Sequence, residues 1–192
     1  MILFKTVRWK NFLSTGNAFT EVRLDSSAST LIVGSNGAGK STMLDAICFA
    51  LFNKPFRKIT KGQLVNAVNE KDTLVEIEFS IGSREYLVRR GIKPNLFEIY
   101  LNGTMLNQEA SVQDQQKTLE QSVLKLNYKS FTQVVVLGSS TFVPFMQLTP
   151  PNRREVIEDL LDIRIFSTMN TLLKDRVKSL KDSIRDHEYK LD

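Results

Sequence analysis

Cysteine and histidine are almost missing from this chain of 192 residues, which has one of each, Cys48 and His187. One cysteine excludes an intrachain disulfide. One histidine argues against a His-based zinc site or a Ser-His-Asp triad assembled within the chain. No stretch approaches the roughly 20 apolar residues of a membrane span. The start, Met-Ile-Leu-Phe-Lys, lacks signal-peptide architecture. These absences predict a cytoplasmic protein with no membrane partner. Cys48 itself sits among Ile47, Phe49, Ala50 and Leu51, which reads as a small buried hydrophobe rather than a reactive thiol. Hydrophobic content of 42% and charged content of 24% are ordinary for a globular protein, and the length suits one sizeable core with an appendage. A net charge of +5 favours polyanions mildly; a solvated face accounts for it equally well.

What is present is sharper. Residues 31–47 read Leu-Ile-Val-Gly-Ser-Asn-Gly-Ala-Gly-Lys-Ser-Thr-Met-Leu-Asp-Ala-Ile. Gly34, Gly39, Lys40 and Ser41 meet the pattern G-x-x-x-x-G-K-[ST] of a phosphate-binding loop. Leu31, Ile32 and Val33 suit a buried parallel strand before the loop, and Ser41 to Phe52 reads as a helix after it. Glycine lets such a loop turn tightly and bring backbone N–H groups against phosphate oxygens. The helix N-terminus adds its partial positive charge. The expected ATP contacts are Ser35, Asn36, Gly37, Ala38, Gly39, Lys40, Ser41 and Thr42. Lys40 is placed on the β- and γ-phosphates, Asn36 near the γ-phosphate, and the Ser41 hydroxyl on Mg²⁺.

Around this motif the chain alternates. Ile2 to Trp9 and Ala18 to Leu24 read as strands, with a turn at Asn11 to Thr15. Asn53 to Asn69 is a basic connection. Leu74 to Ile81, Glu85 to Arg90 and Phe97 to Leu101 form an antiparallel meander, punctuated by Gly82-Ser83 and Asn102-Gly103. Ser111 to Leu126 reads as helix; Phe131 to Leu137 fits helix or strand. Pro150-Pro151 is a hard boundary, with Thr149 a candidate N-cap. From there to Asp192 there is neither Pro nor Gly. Ile163, Phe166, Asn170, Leu173, Val177, Leu180, Ile184, His187 and Leu191 alternate spacings of three and four, a heptad pattern. A coiled-coil strand fits this best; an amphipathic helix lying on the core is the alternative.

A complete P-loop ATPase also needs an apolar strand ending in an acid, to hold Mg²⁺ and orient water. None is found: Val75-Glu76-Ile77-Glu78 alternates, and Val156-Ile157-Glu158-Asp159 belongs to the terminal helix. There is no Leu-Ser-Gly-Gly and no Asn-Lys-x-Asp. The catalytic apparatus therefore reads as split, with this chain holding the first half.

Asn11-Phe12-Leu13-Ser14, the loop from Gly34 to Thr42, Leu44-Asp45-Ala46-Ile47 and the helical exit after Pro151 together resemble the N-terminal lobe of SMC-like ABC ATPases. The likeness is to their DNA-repair, SbcC-type branch, and within it to bacteriophage members. It covers essentially the whole chain. It implies an α/β fold: a P-loop ABC-ATPase N-terminal lobe over residues 1–150, with a mixed sheet and antiparallel meander, followed over 151–192 by an emerging coiled-coil helix. It implies that these residues are the N-terminal part of a longer chain. Its partners would be the C-terminal half of the same head, a second head in a homodimer, a nuclease subunit and double-stranded DNA. The site of action would be the cytoplasm, or host cytoplasm for a phage protein. An SMC-type DNA-tethering head without a nuclease is the competing reading. In that family a Gln follows the second helix and senses the metal; here Ser139 stands at its position, a departure that leaves the role in doubt. Leu13 is a second departure, where relatives often carry Arg.

Candidate DNA contacts are Lys54, Arg57, Lys58 and Lys61 with Arg84, Arg89, Arg90 and Lys93; a solubilising surface is the alternative. Ile163, Ile165, Phe166, Met169, Leu172 and Leu173 offer more apolar surface than one coiled-coil seam buries. They are candidates for docking the nuclease, or for packing on the head itself.

Overall fold

The computed structural model describes residues 2–106, 111–136, 143–161 and 163–188. The chain divides into two compact units, Met1–Phe142 and Val143–Asp192. The first is built on strands β1 (Ile2–Lys10), β2 (Thr20–Arg23), β3 (Thr73–Ile81), β4 (Arg84–Ile92), β5 (Leu96–Leu101) and β6 (Thr104–Met105), in the order β2-β1-β3-β4-β5-β6. Period-two alternation places Val7 and Trp9, Val75, Ile77 and Phe79, Tyr86 and Val88, and Phe97 and Ile99 in one buried core. Helix α1 (Thr42–Phe52) packs against β1, β3 and β4.

All the strand pairings are antiparallel, so the expected mixed sheet is antiparallel throughout among the described residues. The missing parallel member is Leu31–Val33. It was expected as a buried strand, but it pairs with no strand of the sheet, and Leu31 and Val33 are 87% and 80% exposed. A strand needs a neighbour for its N–H and C=O groups, and the described residues of this unit offer it none.

On the sheet face away from the core, Glu21, Arg8, Glu76, Arg89 and Glu98 stand in register across five strands with alternating sign. Arg8 donates to Glu76. Arg89 donates to Glu76 at 2.7 Å and to Glu98 at 2.7 Å. Burial works against the charge of Arg89, but its bond to Glu76 and the groups beyond outweigh it and raise its pKa. Each such cross-strand pair stabilises the sheet by about 0.2–1 kcal/mol and helps select the register.

Helix α2 (Val112–Lys117) is capped by Ser111, whose hydroxyl accepts from the Asp114 N–H, and runs into a π-helical stretch, Thr118–Leu124. Helix α3 (Tyr128–Val134) is capped by the Asn127 side chain. The Phe131 segment, open between helix and strand, is therefore helical through Val134; its ring meets Phe52 of α1 at 5.1 Å. In the second unit, α4 (Pro150–Leu160) begins with its prolines in the first turn, where a missing N–H costs nothing. Thr149 sits at the N-cap position without a side-chain cap bond. Helix α5 (Arg164–Glu188) follows, with Val177, Leu180 and Ile184 exposed. The last heptad position, Leu191, lies outside the described residues.

The turn after β1 is tightly built. Asn11 and Leu13 have φ of 49° and 53°. The buried Asn11 amide donates to Asn17 Oδ1 at 3.1 Å and to the Asp72 carbonyl at 3.3 Å, and accepts from Asn69 Nδ2 at 2.7 Å. Asn11→Ala strips these partners and leaves alanine in the left-handed region, so we expect a loss of about 2–3 kcal/mol. The reading is a shift of the urea midpoint at constant slope. A change below about 0.5 kcal/mol would mean that the turn is held by something else.

Candidate nucleotide-binding site

The loop from Gly34 to Thr42 curls because its glycines allow it. Gly37 and Gly39 have φ of +85° and +91°, and a Cβ on Gly34 would lie 3.2 Å from that of Ala38. The Ala38 N–H donates to the Ser35 carbonyl at 3.2 Å, and the Thr42 N–H to the Gly39 carbonyl at 2.9 Å. Lys40 arches over the loop, donating to the carbonyls of Gly34 at 2.6 Å and Ser35 at 2.8 Å. Thr42 is buried and opens α1.

The loop forms one wall of a cleft of about 620 Å³, within the roughly 300–1,000 Å³ of small-molecule sites. Asn36, Gly37, Gly39, Lys40, Ser41 and Thr42 face it. Ser35 and Ala38 do not line it; they shape the turn behind. The opposite wall is Leu13 and Ser14 from the turn after β1, with Arg57, Gln63, Val65 and Ala67. Phe12 fixes that turn: it is fully buried, its ring lies 5.8 Å from that of Phe49 on α1, and it bridges to Val65. The Leu13 N–H donates to the Leu64 carbonyl at 2.7 Å.

Two cations, Lys40 and Arg57, line the cleft, and among the described residues no carboxylate does. Such a lining suits a polyanion. For a Mg²⁺ accompanying a phosphate chain the lining offers neutral side-chain oxygens, the Ser41 hydroxyl at the helix start among them, which fits an ion that takes its other ligands from phosphate and water. Among the described residues no cluster of three or more His, Cys, Asp or Glu stands ready for a metal. Ser139 lies outside the described residues.

Arg57 was expected on a DNA surface; its guanidinium is instead committed to Asp45, and it lines this cleft. The Asp45 side chain, wholly buried in α1, accepts from the N–H groups of Phe56 at 3.1 Å and Arg57 at 3.0 Å. It also accepts from the Arg57 guanidinium at 2.6 Å. The same carboxylate and burial push the Cys48 thiol up to about 12, burial being the larger cause. Sequence reasoning missed the role of Asp45, although a lone acid in the run Thr-Met-Leu-Asp-Ala-Ile-Cys-Phe-Ala-Leu-Phe is a readable sign of a buried partner.

The other candidate DNA cations are not brought together. Arg90 is 2% exposed and is no surface residue, because its position alternates onto the core face of β4. Arg89 is neutralised by Glu76 and Glu98. Lys54 and Lys58 are exposed; Lys61 is half-buried, and burial, then the nearby Arg90, lowers its pKa. Arg84 and Lys93 are exposed but flank opposite ends of the nine-residue β4, about 30 Å apart. In the second unit, Ile165, Phe166, Met169, Leu172 and Leu173 are exposed, while Ile163 is half-buried.

Residues 6–191 match the AAA domain family. Exonuclease subunit 2 of Enterobacteria phage T4 is 48% identical over 168 residues, covering 88% of this chain and 30% of that protein. Exonuclease subunit 2 of Escherichia phage RB69 is 44% identical over 174 residues, covering 91% and 31%. This chain thus spans about a third of the length of these relatives. Among solved structures, an Smc head domain with an extended coiled coil from Pyrococcus furiosus, bound to the C-terminal domain of ScpA, aligns with a TM-score of 0.61. The identity there is 22%, covering 95% of this chain and 48% of that one, which shows the fold. The chain belongs to the AAA domain family and has the α/β fold of an Smc-type ATPase head, with its antiparallel sheet and long C-terminal helix.

Proposed function

We propose that this chain is the ATP-binding half of an ATPase head serving a DNA double-strand-break or recombination nuclease complex, in which ATP binding joins two heads and controls the nuclease. The observation that carries the nucleotide reading is the cleft itself: a glycine-shaped loop at the N-terminus of α1, with Lys40 and Arg57 and, among the described residues, no carboxylate lining it. The names of the phage relatives support the nuclease context.

In this reading the backbone N–H groups of residues 36–42 hold the phosphates, aided by the α1 N-terminus. Lys40 exchanges its carbonyl partners for β- and γ-phosphate oxygens, and Arg57, held by Asp45, presents its remaining N–H donors from the facing wall. Leu13 and Val65 offer apolar surface to the base. A bound Mg²⁺, reached by Ser41, would neutralise phosphate charge. The acidic strand would come from the C-terminal half of the same head, and the signature motif from that half of the second head. Leu31–Val33, exposed and outside the sheet among the described residues, supports that division as a strand left for a partner to pair. The exposed apolar residues of α5 from Ile165 to Leu173 are the proposed nuclease-docking surface. Contact with double-stranded DNA is assigned to the exposed cations Lys54, Lys58, Arg84 and Lys93, with Lys61 in support.

Lys40→Ala should cost about 1.5–3 kcal/mol of nucleotide binding, a tenfold or greater loss of affinity. An unchanged ATP titration would remove the assignment. The chain by itself should bind ATP without appreciable turnover, and adding the C-terminal half should restore hydrolysis together with dimerisation. Robust Mg²⁺-dependent turnover by the purified 192 residues, abolished by Lys40→Ala, would show a complete site instead. Neutralising Lys54, Lys58, Arg84 and Lys93 in the complete head should weaken binding to unrelated duplexes alike, and flatten the salt slope of log affinity by about 0.9 per lost phosphate contact. Wild-type affinity and slope in that variant would leave these residues as plain surface.

A further inference from the structure

Arg90 has no part in the cleft, yet among the described residues it is the one Lys or Arg that is buried. It projects from β4 into the core at 2% exposure. Its Nε donates to the Ala50 carbonyl at 2.9 Å, and its Nη2 donates to Gln116 Oε1 at 2.6 Å. Its guanidinium carbon lies 3.7 Å from the centre of the Phe97 ring. Gln116 on α2 answers from its other end: Nε2 donates to the Leu51 carbonyl at 2.9 Å and to Glu120 Oε1 at 2.6 Å. Ala50 and Leu51 lie in the last turn of α1, where carbonyls have no partner within the helix. Two side chains from different elements therefore cap the far end of the helix whose near end is the phosphate loop. A cation there also suits the helix dipole.

Glu120 sits inside the π-helical stretch Thr118–Leu124, a rare geometry that concentrates at functional positions. Beyond it, α3 lays Tyr128 and Phe131 against Phe52, with ring centres at 5.9 Å and 5.1 Å. The end of α1 is thus gripped by β4, α2 and α3 together. For packing alone, a long apolar side chain would cover Phe97 and α1, and a buried charge is poor evidence of stabilisation. What the guanidinium adds is its planar fork: Nε and Nη2, rigidly fixed to each other, bond a carbonyl of one element and an amide of another while the plane lies against Phe97, a geometry a point-like ammonium does not hold.

We propose that Arg90 is a positioning residue, coupling α1 through Gln116 and Glu120 to the arm formed by α2, the π-helical stretch and α3. Nucleotide held at the start of α1 then orders α3, some eleven residues of helix away. This rests on the nucleotide reading above. The test is amide hydrogen exchange on the full-length chain, with and without Mg²⁺ and a non-hydrolysable ATP analogue. In the wild type, nucleotide should slow exchange at residues 34–42 and also at 128–134, the latter about fivefold. In Gln116→Met, which leaves the Arg90 bond to Ala50 in place, the loop should still respond while α3 slows less than about twofold. Arg90→Lys, which keeps the charge but not the fork, should give the same pattern. A merely structural role would speed exchange in both states and leave the nucleotide ratio at α3 unchanged; that result overturns the proposal. So does a wild-type α3 indifferent to nucleotide while the loop responds. No response at the loop itself would instead bring down the nucleotide reading, and the coupling with it.

Discussion

Helix α1 is the constraint around which the first unit is arranged. Nine of its eleven residues are buried, so it has no water-facing side to spare. A helix apolar around its circumference has to be covered on every side, yet here its N-terminus must stay open for the phosphate loop. The sheet covers one side through Val7, Val75, Ile77 and Val88, and α3 covers another through Tyr128 and Phe131. The turn after β1 covers a third through Phe12. That last contact has a double effect. By lodging Phe12 on Phe49, it sets Leu13 and Ser14 across from the loop, so that core packing and cleft shape follow from one aromatic pair.

Polar groups inside this arrangement follow the same logic. Asp45 breaks the apolar run of α1 and is wholly buried, which is tolerable only because four donors converge on it. Arg90 enters the core from β4 and finds the unpaired carbonyls of the α1 C-terminus. Each end of the helix is therefore tied to a loop or a strand by a charged side chain. The charges of the outer sheet face are spent differently. Glu21, Arg8, Glu76, Arg89 and Glu98 neutralise one another along a row, so a net charge of +5 does not translate into a cationic sheet.

What was legible in the sequence was what is decided locally. The phosphate loop announces itself because each glycine has a steric duty within nine residues. The strands of the meander announce themselves because one face is buried and the other is not. What was not legible depended on partners distant along the chain. Leu31–Val33 has the composition of a strand, but pairing requires a neighbour that the described residues of the first unit do not supply. Arg57, Arg89 and Arg90 count alike in a charge total; only the register of β4 and the position of Asp45 separate a cleft cation, a ladder cation and a core cation. The cleft wall at Leu13 and Val65 was hidden for the same reason, since the segments meet only through Phe12 and the Asn11 network.

The bare segment Leu31–Val33 has one more consequence. It combines backbone groups without a strand partner with exposed apolar side chains, the combination by which extended segments recruit another copy of themselves. Studied in isolation, this chain carries an adhesive strip beside its phosphate loop. Self-association through that strip would grow with protein concentration, yield to mild denaturant and ignore substitutions at Lys40. A dimer that ATP does not shift would report this strip, and one that ATP strengthens would report association through the nucleotide cleft.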